Sequence, residues 1–191
     1  MASQDRIPRS DLEALADEDL MDQIVAGSEA AFALLVKRYQ GKVTNLVNRF
    51  IYNRDRAVEI AQEVFLRVYL HRKRYLRSGR FSTWIYTIAV NLAKNELRRK
   101  ARLKGVTSLD GLLEATGDSG AFLADKRPGP DRTAHQHRVE EVVMEAIEQL
   151  PDKYREVILL RDIQQLTYEE IEQVLSIPGG TVRSRINRAR S

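Results

Sequence analysis

The sequence predicts an all-α protein made of two small helical domains joined by a flexible linker. Three observations carry that reading. Apolar residues recur at helical spacing through most of residues 18–100, and again beyond 137. Between these stretches, residues 105–137 lose the periodicity and hold five of the ten glycines together with the "RPGP" of 127–130. No segment shows the strict apolar–polar alternation of a half-buried strand.

The elements follow in order. The first 19 residues form an acidic N-terminal extension, and residues 20–104 a first domain. Within it, "EAAFALLVKRYQGKVTNLVNRFI" puts Phe32, Leu35, Val36 and Tyr39 on one helix face. "RAVEIAQEVFLRVYLHR" does the same with Ala57, Ile60, Ala61, Val64, Phe65 and Val68. "STWIYTIAVNLAKNELRRKAR" is a third helix, for which Ser82 or Thr83 is the expected N-cap. After the linker, residues 138–191 hold helices at 137–151, 152–163 and 167–177, then a last one starting near Gly180 or Thr181. Thr167 with Glu170 three residues on is a capping-box pattern. The turn Ser176-Ile177-Pro178-Gly179-Gly180 separates the last two helices, and Thr181 is the expected cap of the final one.

Composition narrows the function. A 43% apolar content suffices for folding, and five Phe with one Trp favour small helical cores over one large one. The chain has no Cys, so neither a disulfide framework nor a thiolate metal site is available. The N-terminus has no signal-like apolar region and nothing approaches 18 uninterrupted apolar residues, which points to a cytoplasmic protein. The formal net charge of +4 conceals strong patterning. Residues 1–29 carry two basic and eight acidic groups, whereas residues 30–104 carry 18 basic and four acidic ones, net +14. A basic block of this size suits a polyanion. No Walker loop, GxSxG or GxGxxG is present, and His71, His135 and His137 belong to no metal-ligand spacing. Neither enzymatic activity nor a cofactor or metal is expected.

Three constellations stand out. A capped helix, a short turn and a second helix bearing arginines follow helix-turn-helix logic. At about 100° per residue, Val182, Ile186 and Ala189 of the second helix face the core, while Ser184, Asn187 and Arg188 point away, with Arg183 at the edge. Arg185 and Arg190 flank the core stripe. A hydroxyl, an amide and guanidiniums on one face can read base edges, and flanking arginines suit phosphates. On the helix from 82, Trp84, Thr87, Asn91, Lys94, Asn95 and Arg98 form one stripe, beside the basic loop "HRKRYLRSGRFST" with its interleaved Tyr75 and Phe81. An aromatic, amides and cations in line suit unstacked bases and their backbone. The helix at 55–71 turns Glu59, Gln62, Glu63 and Leu66 outward, with Leu70 nearby. The residues alone leave that face open between a protein-docking surface and a solvated face with one stray leucine.

The strings "FALLVKRYQGKV", "AQEVFLRVY", "FSTWIYTIAVNLAKNELRR" and "LTYEEIEQVLSIPGGTVRSRINRAR" occur in an order that resembles the extracytoplasmic-function (ECF) sigma factors of bacterial RNA polymerase. The resemblance implies two helical domains, regions 2 and 4, that bind core polymerase and direct it to promoters through the −10 and −35 elements. It places Glu59, Gln62, Glu63 and Leu66 on the segment that docks on the coiled coil of the largest polymerase subunit. It places the loop Arg77, Arg80 and Phe81, with Trp84, Asn91, Lys94, Asn95 and Arg98, at the −10 element. Arg183, Ser184, Asn187 and Arg188 match the helix that reads −35 as duplex, flanked by Arg185 and Arg190, with Tyr168 and Glu169 near backbone and bases. An anti-sigma factor is an implied further partner. Four positions depart from the family pattern: Glu59 for Asp, Ala61 for a branched residue, Glu172 for Ala and Ser176 for Gly. Glu172 must then point outward or loosen the helix-turn-helix packing, and a standard turn puts Ser176 at a positive φ. The sequence also stops at Ser191, where family members commonly run on. The rivals from other classes are a dimeric helix-turn-helix regulator working without polymerase, and a decoy that docks on polymerase without reading DNA.

Overall fold

A computed structural model describes residues 9–107 and 142–191. Among them every regular element is helical and no strand occurs. Five helices build the first domain: α1 (Arg9–Ala14), α2 (Asp17–Val25), α3 (Glu29–Ile51), α4 (Arg54–Leu70) and α5 (Phe81–Thr107), with a 3-10 turn at Arg72–Arg74. The second domain contains α6, over residues 142–149, then α7 (Asp152–Ile158), α8 (Tyr168–Leu175) and α9 (Gly179–Arg190). Most of the linker reading, at residues 108–137, lies outside the described residues, as do residues 1–8.

Local chemistry sets most of the boundaries. Ser28 caps α3 by accepting from the Ala31 N–H at 3.3 Å. That helix ends on Tyr52, whose φ of +51° reverses the chain, and the adjacent Asn53 caps α4 by accepting from Arg56 N–H. Two residues therefore join α3 to α4, which makes them antiparallel neighbours. All six apolar residues expected on the buried side of α4 are buried. Of the four expected in α3, Leu35 and Tyr39 are buried, while Phe32 and Val36 are only partly covered and line a groove against α4.

The described part of the acidic stretch, from Arg9 on, is not separate from the bundle. α2 spans the expected boundary at residue 19 and buries Leu20, Met21 and Ile24 in the bundle. Its acids hold the fold from outside. Asp17 accepts from Arg38 at 2.7 Å and from the Tyr39 hydroxyl at 2.5 Å. Burial, then this hydrogen bond, push the Tyr39 hydroxyl well above its ordinary value.

The start of α5 also differs from expectation. Neither Ser82 nor Thr83 caps it; the helix begins at Phe81, whose N–H donates to Glu18 of α2 at 3.0 Å. A carboxylate at a helix N-terminus satisfies the same orphan donors that a local cap would. Phe81 itself is fully buried, in edge contact with Tyr39 at 5.1 Å and near Tyr75 and Trp84 at 6.3 and 6.2 Å. Phe81→Ala should destabilise the protein by about 3–5 kcal/mol, measured by urea denaturation, because it empties the centre of this cluster.

In the second domain, α7 runs into one π-helical turn at Leu159–Ile163, and Gln165 at φ +58° starts the return toward α8. The capping box at Thr167 and Glu170 is complete, with both reciprocal hydrogen bonds made. Ser176 adopts φ +53° and Glu172 is exposed, as the substituted turn requires. The final helix starts earlier than expected. α9 begins at Gly179 behind Pro178, so Thr181 lies within its first turn and makes no cap.

Glu96 is the buried carboxylate of the first domain, 4% exposed, held by Arg99 at 2.7 and 3.0 Å and by Arg56 at 3.2 Å. The Arg99 hydrogen bonds foremost, and then Arg56, lower its pKa from 4.5 to about 2. The unfolded chain therefore binds this proton at higher pH than the folded one does. Stability from this group is complete above pH ~4.5 and is lost as the pH falls toward 2. Acid titration of urea midpoints should show a fall in that window that is reduced in Glu96→Gln.

Candidate nucleic-acid interface

The site has three surfaces. On the helix-turn-helix, α8 and α9 pack together and α9 also packs on α7. Val182 and Ile186 are buried, and Ala189 is partly so. That fixes the rotation of α9 and leaves Arg183, Ser184, Asn187 and Arg188 exposed on one face. Glu169, exposed on the first turn of α8, is brought to the same side. Its own backbone N–H, then the Thr167 hydroxyl, hold its carboxyl below the usual range, with Arg161 and Arg183 contributing further. Arg185 is half-buried. Arg190 pairs with Asp162 at 2.6 Å and so ties the end of α9 to the π-helical turn.

Two residues of this surface escaped the sequence reading. Arg161 lies over the Tyr168 ring at 5.2 Å and donates to the Leu166 carbonyl at 2.7 Å, so it sets where Tyr168 stands. Tyr154 of α7 meets Arg188, whose hydrogen bond is the main cause of the lowered pKa of the phenol. Both sit on a helix whose apolar pattern announced only a core element. An arginine inside that run was the available signal for Arg161.

The second surface runs from the 77–80 loop along α5. Trp84 is half-buried and stacks obliquely on Tyr75 at 5.4 Å, while Asn91, Asn95 and Arg98 are exposed. The Asn95 amide oxygen accepts from Arg98 at 3.2 Å. Other members of the expected stripe are placed differently. Phe81 is core and cannot present its ring to a ligand; it anchors the loop that carries Arg77 and Arg80. Arg77 is bound to Asp19 at 2.5 Å and to Asp22. Lys94 pairs with Glu156 of α7 at 2.9 Å. Tyr86, the neighbouring aromatic, is buried. One α5 line therefore splits into an exposed half and a half covered by the second domain.

The third surface is an open groove of about 860 Å³ between α3 and α4. Leu66 is 56% exposed at its edge, with Val58 at 41%, and Leu70, one turn farther along α4, is 62% exposed. Phe32, Val36 and Tyr69 supply its apolar lining, and Gln62 its polar rim. Glu59 pairs with Arg56 and Glu63 with Arg67. Such pairs are exposed and worth less than about 1 kcal/mol. Val58, Gln62 and Leu66 follow at i, i+4 and i+8 along α4, so Leu66 stands with Val58 at the groove.

Comparison with known proteins matches residues 35–103 to the sigma-70 region 2 family and residues 140–191 to sigma-70 region 4. The chain is 37% identical over 178 residues to the ECF RNA polymerase sigma-E factor of Escherichia coli K12, covering 93% of this chain and 92% of that one. It belongs to the ECF sigma factors. The RNA polymerase sigma-H factor of Pseudomonas aeruginosa is 36% identical over 177 residues, 91% of this chain and 90% of that one. CnrH, solved with the cytosolic domain of CnrY, shares the fold with a TM-score of 0.64 at 21% identity, over 92% of this chain and 93% of CnrH. The sigma factor RpoE of Bartonella quintana, solved with the anti-sigma factor NepR, does so with a TM-score of 0.62 at 16% identity, over 83% and 91%. As an ECF sigma factor, the protein directs RNA polymerase to promoters and starts transcription there.

Proposed function

We propose that the three surfaces divide the work of promoter-specific initiation, with no catalysis by the sigma factor itself. The α3–α4 groove, with Glu59, Gln62, Glu63 and Leu66 along α4, takes a helical segment of the largest polymerase subunit. The observation that carries this is the exposed Val58–Leu66 edge of an apolar groove, with Leu70 exposed on the next turn, a geometry suited to an amphipathic helix. Trp84, Asn91, Asn95 and Arg98 capture unstacked bases and backbone at −10, with Arg77, Arg80 and Lys94 available once freed from their present partners. Arg183, Ser184, Asn187 and Arg188 read the −35 duplex in the major groove, and Tyr168, Glu169, Arg185 and Arg190 frame it. Binding energy for the separated strand drives opening, and no nucleotide hydrolysis is required.

No described helix is long and apolar enough to cross a membrane. The place of action is the cytoplasm, with the polymerase. An anti-sigma factor is a further partner, by analogy with the RpoE–NepR complex.

Run-off transcription with core polymerase on a promoter library tests the whole reading: specific products should appear only when the protein is added. A dimeric duplex regulator or a polymerase decoy would give none. Within that assay, Arg188→Ala should cost about 1–3 kcal/mol at the −35 element and relax the preference at one base position. Selection on randomised −35 sites measures this, and an unchanged preference would mean that α9 is not the reading helix.

A further inference from the structure

The loop at 76–80 and the exposed stripe of α5 meet at Phe81, and two consecutive acids of α2 grip that residue. The Phe81 N–H donates to Glu18 at 3.0 Å. Its ring packs edge-on against Tyr39 at 5.1 Å, and the Tyr39 hydroxyl donates to Asp17 at 2.5 Å. At the other end of the loop, the Tyr75 hydroxyl donates to the Gly79 carbonyl at 2.8 Å and closes the loop on itself. Burial, then the charge of Glu18, push that phenol up to about 12, so Glu18 acts at both ends of the loop.

The cap of α5 comes from outside the helix. The Arg80 carbonyl accepts from the Trp84 N–H at 3.3 Å, so Arg80 stands where a capping side chain would. A guanidinium has donors only and cannot take the Phe81 N–H. The Arg80 side chain is left exposed. Glu18 is half-buried, where a charge-assisted hydrogen bond is stronger than in open solvent. The ties of Arg77 to Asp19 and Asp22 are exposed, and such pairs hold little. Phe81, Ile85 and Ala89 are fully buried and anchor α5 in the bundle whatever caps it.

We propose that Glu18 is a positioning residue for the −10 element: by holding the Phe81 N–H it fixes the loop bearing Leu76, Arg77 and Arg80 against Trp84, Asn91 and Asn95. The proposal rests on the assignment of strand capture to this surface. The capping position is given to a cation that can face the strand, and a carboxylate of α2 does the capping in its place. A loop held loosely still attracts a backbone by charge, but it no longer sets its side chains in register with the bases. Glu18 therefore acts on discrimination among −10 sequences more than on affinity.

Full-length protein with core polymerase is assayed on a promoter recovered from the run-off selection, and on copies with one −10 base changed. Permanganate reactivity gives the ratio of opening on the matched and altered promoters, which does not depend on how much of the protein is active. Glu18→Ala should lower this ratio about fivefold, with the −35 preference and the affinity for core polymerase as in wild type. Glu18→Gln keeps an acceptor oxygen for the Phe81 N–H and should keep the ratio. An equal loss in Glu18→Ala and Glu18→Gln would be an effect of charge near the strand, and would overturn the positioning role. An unchanged ratio in Glu18→Ala would overturn it too, whatever the urea midpoint does. If Asn91→Ala with Asn95→Ala impairs opening in that case, the −10 assignment stands without Glu18. If the paired asparagine change leaves opening intact, the −10 assignment itself fails, and the positioning role with it.

Discussion

Replacing Asn91 and Asn95 together by alanine should leave the protein folded and bound to core polymerase, while duplex promoters fail to open. Both side chains are exposed on α5, so their loss removes no packing. They stand beside Trp84 and Arg98, and α9 and the α3–α4 groove lie on other helices, so closed-complex binding and core binding are spared. Two lost hydrogen-bonding amides should cost roughly 1–3 kcal/mol of strand capture. This corresponds to a fall in opening of about 5- to 150-fold. A template already melted at −10 should recover much of the activity, because the unpairing cost no longer has to be met. Permanganate reactivity of thymines across the element, with run-off product on both templates, is the measurement. Wild-type opening of duplex promoters by the double variant would make this stripe ordinary surface.

The second large effect is expected at the polymerase. Leu66→Asp should abolish stable core binding while leaving helicity and urea midpoint nearly unchanged. At 56% exposure, Leu66 contributes little to the bundle that Val64, Phe65 and Val68 already fill. In a docked complex the same residue would be covered, beside Glu63 and Gln62. Loss of the apolar contact, together with burial of an unpaired carboxylate, costs on the order of 2 kcal/mol or more. Co-purification with core polymerase and competition against wild type measure it. Unchanged core affinity would remove α4 from the docking surface, whereas loss of helicity would show that Leu66 supports the fold.

Legibility in the sequence followed the range of the interaction. The buried face of α4, the complete capping box at Thr167 and Glu170, and the positive φ at Ser176 each depend on residues within about one helical turn, and each was readable. The outward face of α9 was readable for the same reason: two buried positions four apart fix the rotation of a helix. Several of the misplacements involve partners distant in the chain. Ser82, Thr83 and Thr181 have good capping chemistry, but capping of α5 goes to Glu18, 63 residues away, and α9 starts earlier, behind Pro178. Phe81 sits in a basic loop whose composition suits DNA, yet Tyr39 of α3 packs on it edge-on, with Tyr75 and Trp84 close by.

By itself, then, the sequence determined the all-helical class, the two domains, the family, and which side chains of α4 and α9 face outward. Periodicity and capping are local properties, and they decide helices and faces one at a time. Only the tertiary structure decided that α2 belongs to the bundle, that Leu66 edges a groove rather than open solvent, and that half of the α5 stripe lies under the second domain. A periodic pattern shows that a helix has a buried side, but not how many neighbours it has. α5 is covered from two directions, by α2, α3 and α4 on one side and by α8 on the other. The polar groups on its second contact, Thr83 and Lys94, look like any exposed face until Glu170 and Glu156 are brought against them from 87 residues and more than half a domain's length of chain away.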